Sequence, residues 1–207
     1  LKKVPERNKM RELLIILGLL LSGCATVKPT ITDYKIFTKT VQNSNSSSNG
    51  CKDKSLKIAQ AFSPSSLMSL NMDYMESDNR VFSYSQSQWQ ESPNDAITFE
   101  LLKNIRSAGI FSSVEASKSR SKSSWILETN TEEFLQFYTK DMKSSYVNVA
   151  VTLTIIDTKT NSVVSTKTFS SKADAKTLDA QGGVEALSAA LSEVISQNIE
   201  WLDRVCK

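Results

Sequence analysis

The stretch RVFSYSQSQWQESPNDAITFELLKNIRSAGIFSSV, residues 80–114, decides the fold because it joins a strand, a capped helix and a second strand. Ser92 suits the N-cap of the helix, since its side-chain oxygen can accept a hydrogen bond from the backbone N–H of Asp95. Pro93 suits the first helical position, where a missing N–H costs nothing. Gly109 suits the left-handed residue that ends a helix. The pattern therefore predicts a helix between two extended segments.

Composition limits the class of protein before any motif is considered. The chain has 207 residues, of which 40% are hydrophobic, enough for one sizeable core. Its net charge of +3 is carried entirely by residues 1–23, which hold five basic and two acidic residues. The remaining 20 basic and 20 acidic residues cancel, so neither nucleic acid nor an anionic membrane surface is favoured as a partner on charge grounds.

The sequence contains no histidine. This excludes Ser–His and Cys–His activation of a nucleophile and removes the commonest ligand of transition metals. We therefore expect no catalytic residue, no metal site and no cofactor, and we predict that the protein is not an enzyme.

The N-terminus has the pattern of a signal peptide. A basic segment precedes Leu13–Leu21, an apolar run of nine residues. This length suits the hydrophobic region of a signal peptide and is short of the ~20 residues that a membrane-spanning helix needs. Residues 1–23 are therefore predicted to be a lipoprotein signal peptide, with translation starting at Leu1 or at Met10.

The end of this segment, Leu21-Ser22-Gly23-Cys24, resembles the lipobox of bacterial lipoproteins. The resemblance implies that the Cys24 thiol carries a diacylglyceryl group, that the bond before it is cut, and that the new amine receives a fatty acid such as palmitate. Several acyl chains make a stable anchor where one would be marginal. No aspartate follows Cys24, which implies sorting to the outer membrane. The alternative is a buried cysteine at the end of a hydrophobic helix.

Residues 24–54 are predicted to be a lipidated N-terminus with little structure of its own. It contains a short strand at Thr32–Phe37 and the tract QNSNSSSNG at Gln42–Gly50. Small polar residues cannot bury enough apolar surface to offset the entropy of ordering, so the tract is interpreted as a flexible loop or tether. Residues 55–207 are predicted to form a single domain.

The rest of the chain alternates strand patterns with one more helix. The predicted strands are Ser55–Ala61, Leu70–Glu76, Trp125–Phe137 with a break at Glu132-Glu133, Tyr146–Ile156 and Val163–Phe169, and the helix follows Gly182-Gly183. This order predicts an α+β fold, a mostly antiparallel sheet with two helices packed on one face.

Trp89, just before the first helix, has two interpretations. It is a candidate interface residue that faces a partner, or it is a lid packed over the N-terminus of the helix. Trp125 and Trp201 fall at strand and helix spacing and are predicted to belong to the core or its edge.

Several of these pieces together resemble the ABC-type transport auxiliary lipoprotein family, which includes the lipoprotein of the paraquat-inducible operon. The pieces are the lipobox Cys24, Asp33–Phe37, Asn79-Arg80-Val81 leading to Trp89, the Ser92-Pro93 helix that ends in Gly109-Ile110-Phe111, and Gly182-Gly183 before a helix that ends near Trp201. The resemblance implies a non-catalytic, outer-membrane-anchored protein on the periplasmic face. Its implied partners are an MCE-domain (mammalian cell entry) protein and ABC transporter components that move lipid between membranes, and it could form a homo-oligomer.

Two other classes of function remain open on the sequence alone. One is a scaffold lipoprotein for an outer-membrane secretion or export complex, which could share the same fold. The other is a periplasmic hydrolase, which is disfavoured because the sequence has no histidine and no G-x-S-x-G motif.

With Cys24 lipidated, Cys51 and Cys206 form an even pair in a compartment that is oxidising in many bacteria. A disulfide between them would join the end of the Ser/Asn tract to the C-terminal helix. The alternative is two unpaired thiols, because the sequence does not show whether their Cα atoms lie within ~4.4–6.8 Å of each other.

Overall fold

The computed structural model describes residues 29–40 and 51–207. In that part of the chain it contains eight strands, one 3-10 turn and two α-helices. In chain order they are β1 (Thr32–Tyr34), β2 (Ser55–Ile58), the 3-10 turn (Ser65–Met68), β3 (Asn71–Met75), β4 (Val81–Trp89), α1 (Pro93–Ala108), β5 (Ser113–Ala116), β6 (Trp125–Tyr138), β7 (Ser145–Asp157), β8 (Ser162–Asp174) and α2 (Ala180–Val205). The predicted signal peptide 1–23, Cys24 and the tract 42–50 lie outside the described residues.

Helix α1 begins and ends where its local sequence predicts. The Asp95 backbone N–H donates to the Ser92 side-chain oxygen at 3.3 Å. Gly109 follows the helix with φ of 64°, the left-handed conformation that glycine adopts without steric cost. Ile97, Leu101 and Ile105 form the buried stripe between these two caps.

The sheet is built around the antiparallel strands β6, β7 and β8. Alternate residues of β7 are fully buried, and these are Val147, Val149, Val151, Leu153 and Ile155. Helix α2 contacts β6, β7 and β8, and α1 contacts β2, β5 and β6. Both helices thus cover the apolar face of the sheet, which confirms the predicted α+β fold.

One edge of β6 pairs with β7. Its other edge is shared by two different strands, so the sheet forks. β2 pairs in parallel with the start of β6, and β3 pairs in parallel with its end. β5 extends the first branch, and β4 and β1 extend the second. Between the branches, Phe62 forms a bridge with Asn130. The two branches separate along β6 between Asn130 and Gln136, beside the 3-10 turn.

Several strands differ in detail from their predicted form; for example, β8 extends to Asp174 and β1 ends at Tyr34. The polar segment after Tyr84 remains in β4 as far as Trp89, because β1 and β3 pair with it from both sides and satisfy its backbone groups. The break predicted at Glu132-Glu133 is a register shift between Thr131 and Glu133 within a continuous β6. A bulge of this kind bends a strand without ending it.

Helix α2 starts before the two glycines that were predicted to precede it. Its N-cap is Asp179, whose carboxylate accepts from the Gly182 backbone N–H at 2.8 Å. A Cβ on Gly183 would lie 2.1 Å from Oε1 of Gln136, and one on Gly182 would lie 2.3 Å from the backbone oxygen of Thr177. The first turn therefore needs glycine because neighbouring segments approach too closely for a side chain.

The folded unit begins at Ile31, earlier than the predicted boundary at residue 55. β1 pairs with β4, and Ile36 and Thr38 are buried. These two side chains enter the core as alternate residues of a short segment after β1. The described residues Thr38 and Cys51, on either side of residues 41–50, are both buried.

Candidate partner-binding site

A cleft opens where the sheet forks, between β3 and the 3-10 turn. It has a volume of about 240 Å³. Its floor consists of the buried side chains of Trp89, Phe134 and Leu187. Its apolar walls include Leu67, Met75 and Val81. Its polar lining residues include Ser66, Asn71 and Asp73. This volume is below the ~300–1,000 Å³ of small-molecule sites and suits one large apolar side chain of a partner.

Exposed apolar side chains flank one wall of the cleft. Met68 is 62% exposed and Leu70 is 44% exposed, and both lie in the segment 66–71 that supplies Ser66, Leu67 and Asn71 to the lining. Val81, which lines the cleft, is also exposed. We call Met68, Leu70 and Val81 the cleft rim. An apolar rim around an apolar floor is typical of a surface that another molecule covers.

Trp89, the candidate interface residue, is buried. It is 4% exposed, and its ring centroid lies 6.1 Å from that of Phe134. β4 continues through Trp89, and strand pairing turns the indole toward the core. A partner could meet Trp89 only from within the cleft, as part of its floor. Trp125 and Trp201 are buried in the core, as predicted.

A polar network lies behind the cleft, where α2 begins. The Tyr84 hydroxyl lies 2.6 Å from that of Tyr138 and donates to Oε1 of Gln136 at 3.0 Å. The Gln136 amide donates to the Ser145 hydroxyl at 3.0 Å. Burial first, and the hydrogen bond with Tyr138 second, raise the pKa of Tyr84 far above its usual value, and burial also raises the pKa of Tyr138.

This network predicts loss of stability in alkali. A tyrosine whose pKa is raised in the folded state stabilises the fold below the unfolded pKa of about 10, and this contribution is lost as pH rises above it. We expect the free energy of unfolding, measured by urea denaturation, to fall from about pH 10 upward and to fall less steeply in Tyr84→Phe. Stabilities between about pH 7 and 9 provide the baseline. Equal slopes in both proteins above that baseline would contradict the assignment.

The segment 36–40, here called the N-terminal strap, crosses both helices. On α1, the Thr38 hydroxyl and backbone N–H both donate to the Glu100 carboxylate, the latter at 3.3 Å. The Asn104 amide donates to the Thr38 hydroxyl at 2.8 Å, and Lys103 forms an ion pair with Glu100. On α2, strap backbone N–H groups donate to the hydroxyls of Ser188 and Ser192.

The strap is held on α1 because Thr38 donates two hydrogen bonds to the buried Glu100 carboxylate, and each hydrogen bond to a charged group contributes about 1.5–3 kcal/mol. Sequence reasoning missed Glu100 and Thr38. They lie 62 positions apart, and no local pattern links them.

Cys51 and Cys206 are joined by a disulfide in the structure, with Cα atoms 5.2 Å apart. Both side chains are buried. The bond connects the segment before β2 to the C-terminal cap of α2.

The described residues contain no cluster of three or more histidine, cysteine, aspartate or glutamate side chains placed to hold a metal ion. Within residues 29–40 and 51–207, no helix combines the length and apolar character needed to cross a membrane.

Solved structures share this fold at low sequence identity. Protein XCC0632 from Xanthomonas campestris has a TM-score of 0.73 at 15% identity, over 84% of this chain and 96% of that one. An uncharacterized protein has a TM-score of 0.62 at 12% identity, over 83% and 98%. A PelC dodecamer from Paraburkholderia phytofirmans reaches 0.43 at 15% identity, over 77% and 93%, too low to carry an argument. No curated protein matches the sequence significantly.

The family model described as the ABC-type transport auxiliary lipoprotein component matches residues 36–197. The match starts in the N-terminal strap, ends within α2 and includes every residue that lines the cleft. It covers most of the chain and agrees with the lipobox resemblance at Cys24, which lies before it. The chain therefore belongs to the family of ABC-type transport auxiliary lipoprotein components.

Proposed function

We propose that this protein is an outer-membrane-anchored lipoprotein on the periplasmic face, a non-catalytic auxiliary component of an MCE/ABC-type intermembrane lipid transport system. The observation that carries the proposal is the family match over residues 36–197. The resemblance to the group that includes the paraquat-inducible operon lipoprotein supports the MCE partner. The lipobox at residues 21–24 supports the anchor.

The cleft supports docking of a protein partner in preference to capture of a whole lipid. Its volume accommodates one large side chain, and Asp73 contributes a carboxylate that disfavours an anionic headgroup. The neutral charge of residues 24–207 gives no long-range attraction. Affinity would then come from apolar contact at the rim and floor, where buried anchor residues carry most of the binding energy of an interface.

The rim gives a direct test of this docking. We expect the double variant Met68→Asp, Leu70→Asp to lose at least roughly tenfold in capture of the transporter partner, because an unpaired carboxylate buried in an interface costs more than ~1.4 kcal/mol. Thermal stability should not change, since both side chains are exposed. Capture is measured by crosslinking in cells, pull-down and mass spectrometry of the bound proteins.

Val163→Asp is the matched control. It makes the same kind of change on a residue that is 61% exposed on β8, outside the cleft lining. Its capture should equal that of the wild type. Equal capture by the rim variant would refute docking at the cleft. Recovery of a secretin or barrel protein, in place of an MCE-domain protein and an ABC permease, would replace the transport proposal with the scaffold alternative.

A further inference from the structure

Three connections lie together at one end of the sheet, which we call the proximal end. They are the β3–β4 turn, the β6–β7 hairpin tip and the link between β8 and α2. The strand registers place them together, because Met75 pairs with both Val81 and Phe137, while Tyr146 pairs with Asp174. The opposite end carries the turn 157–161 and is called the distal end.

The hairpin tip at the proximal end carries an exposed methionine on a hydrogen-bonded turn. Met142 is 43% exposed and has φ of 55°, a left-handed conformation that costs a residue other than glycine of order 1 kcal/mol. Its backbone N–H donates to the Thr139 oxygen at 2.9 Å, and the Thr139 N–H donates to Ser144 at 3.0 Å. The Asp141 carboxylate accepts from the Thr139 hydroxyl at 2.8 Å. The turn is fixed, and its apolar side chain contributes nothing to the core.

A second apolar side chain lies on the neighbouring link. Leu178 is 47% exposed, and the link is held beside the hairpin by a 2.9 Å hydrogen bond from the Ala175 N–H to the Ser145 oxygen. Lys140 and Lys143 flank Met142, and Lys176 precedes Leu178. Asp141 and Asp179 balance two of these three charges. On the β3–β4 turn Arg80 forms ion pairs with Glu76 and Asp78, so the proximal end has little net charge.

Apolar tips beside lysines suit the boundary of a lipid bilayer. The apolar groups can enter between lipids, while the ammonium groups reach phosphate. Because the charges nearly balance, the contact would depend mainly on apolar insertion.

The length of chain before β1 favours the proximal end. Cys24 precedes Ile31 by seven residues, which reach about 25 Å when extended. β1 runs parallel to β4, so its first residue, Thr32, lies nearer the proximal end than its last residue, Tyr34. The strand registers place β1 approximately level with Phe134.

From that level, the hairpin tip lies about 20 Å away and the start of β6 about 30 Å away. A seven-residue segment can therefore bring the proximal end to the membrane but cannot bring the distal end there.

We propose that the proximal end rests on the phospholipid surface that holds acylated Cys24, with Met142 and Leu178 inserted at the lipid boundary. This inference rests on the proposed lipid anchor. The distal end, with the disulfide and Val163, then points away from the membrane.

Depth-dependent quenching tests this orientation. The lipidated protein carrying Met142→Cys or Leu178→Cys is labelled with an environment-sensitive fluorophore and reconstituted in vesicles of phosphatidylethanolamine and phosphatidylglycerol. Some of the lipids carry a spin-label quencher near the headgroup. We expect roughly twofold or greater quenching and a blue shift at both positions. Lys159→Cys, on the distal turn, is the matched control and should show neither effect.

Flotation of the vesicles separates this inference from the proposed anchor. Protein that fails to float lacks the lipid anchor, and both proposals are then refuted. Protein that floats with unquenched labels at Met142 and Leu178 refutes the orientation alone. Labels that become protected only when a transporter protein is added would assign the proximal end to a protein partner and overturn the membrane contact.

Discussion

Replacing Cys24 with alanine is expected to release the protein from the outer membrane almost completely. Residues 24–207 carry equal numbers of basic and acidic side chains and so have no net attraction to anionic lipid, and we expect the acyl chains to supply nearly all of the membrane affinity. Each buried CH₂ group contributes about 0.8 kcal/mol, and several chains together make binding effectively permanent. We therefore expect at least a roughly hundredfold decrease in the membrane-bound fraction of Cys24→Ala.

The measurement is sucrose-gradient separation of inner and outer membranes followed by immunoblotting. Val163→Ala is the control, because it changes an exposed residue of β8, leaves the lipobox and the disulfide intact, and should leave the protein in the outer-membrane fraction. Wild-type levels of Cys24→Ala in that fraction would show that Cys24 is not the anchor. Wild-type protein in the inner-membrane fraction would refute the outer-membrane location while leaving the anchor intact.

Loss of the Cys51–Cys206 disulfide is expected to lower the free energy of unfolding by about 3–5 kcal/mol. The two residues are separated by 155 positions. In the chain-entropy model, closing a loop of this length restricts the unfolded chain by about 5 kcal/mol, and residual structure in the unfolded state reduces the gain. This is a large part of the ~5–15 kcal/mol that stabilises a typical domain. Cys206→Ser should also loosen the last turn of α2.

Urea denaturation of periplasmically expressed protein measures this effect, with and without reductant. Reductant should destabilise the wild type and leave the double variant Cys51→Ser, Cys206→Ser unchanged. Alkylation without reductant, followed by mass spectrometry, tests the bond itself. Two alkylated thiols in protein from the periplasm would contradict the pairing, whatever the denaturation curves show.

Much of this protein follows from signals that act over a few residues. The Ser92 cap and Gly109 set the bounds of α1, because each forms its bond within one helical turn. Alternation along β7 identifies its buried face, because side chains on a strand point to opposite sides in turn. The lipobox, the family and the α+β class likewise follow from local patterns and their order along the chain.

Other features depend on contacts between residues that are distant in sequence. Glutamate is usually a surface residue, and Glu100 is buried because Thr38 of the strap bonds to it. Glycine is unusual inside a helix, and position 183 needs it because the Gln136 side chain lies against the backbone there. Trp89 is buried because β1 and β3 extend β4 on both sides, and the cleft exists because two strands share one edge of β6. Local patterns specify how each segment is formed, but the closure of long loops decides which segments meet, and only the tertiary structure contains that information.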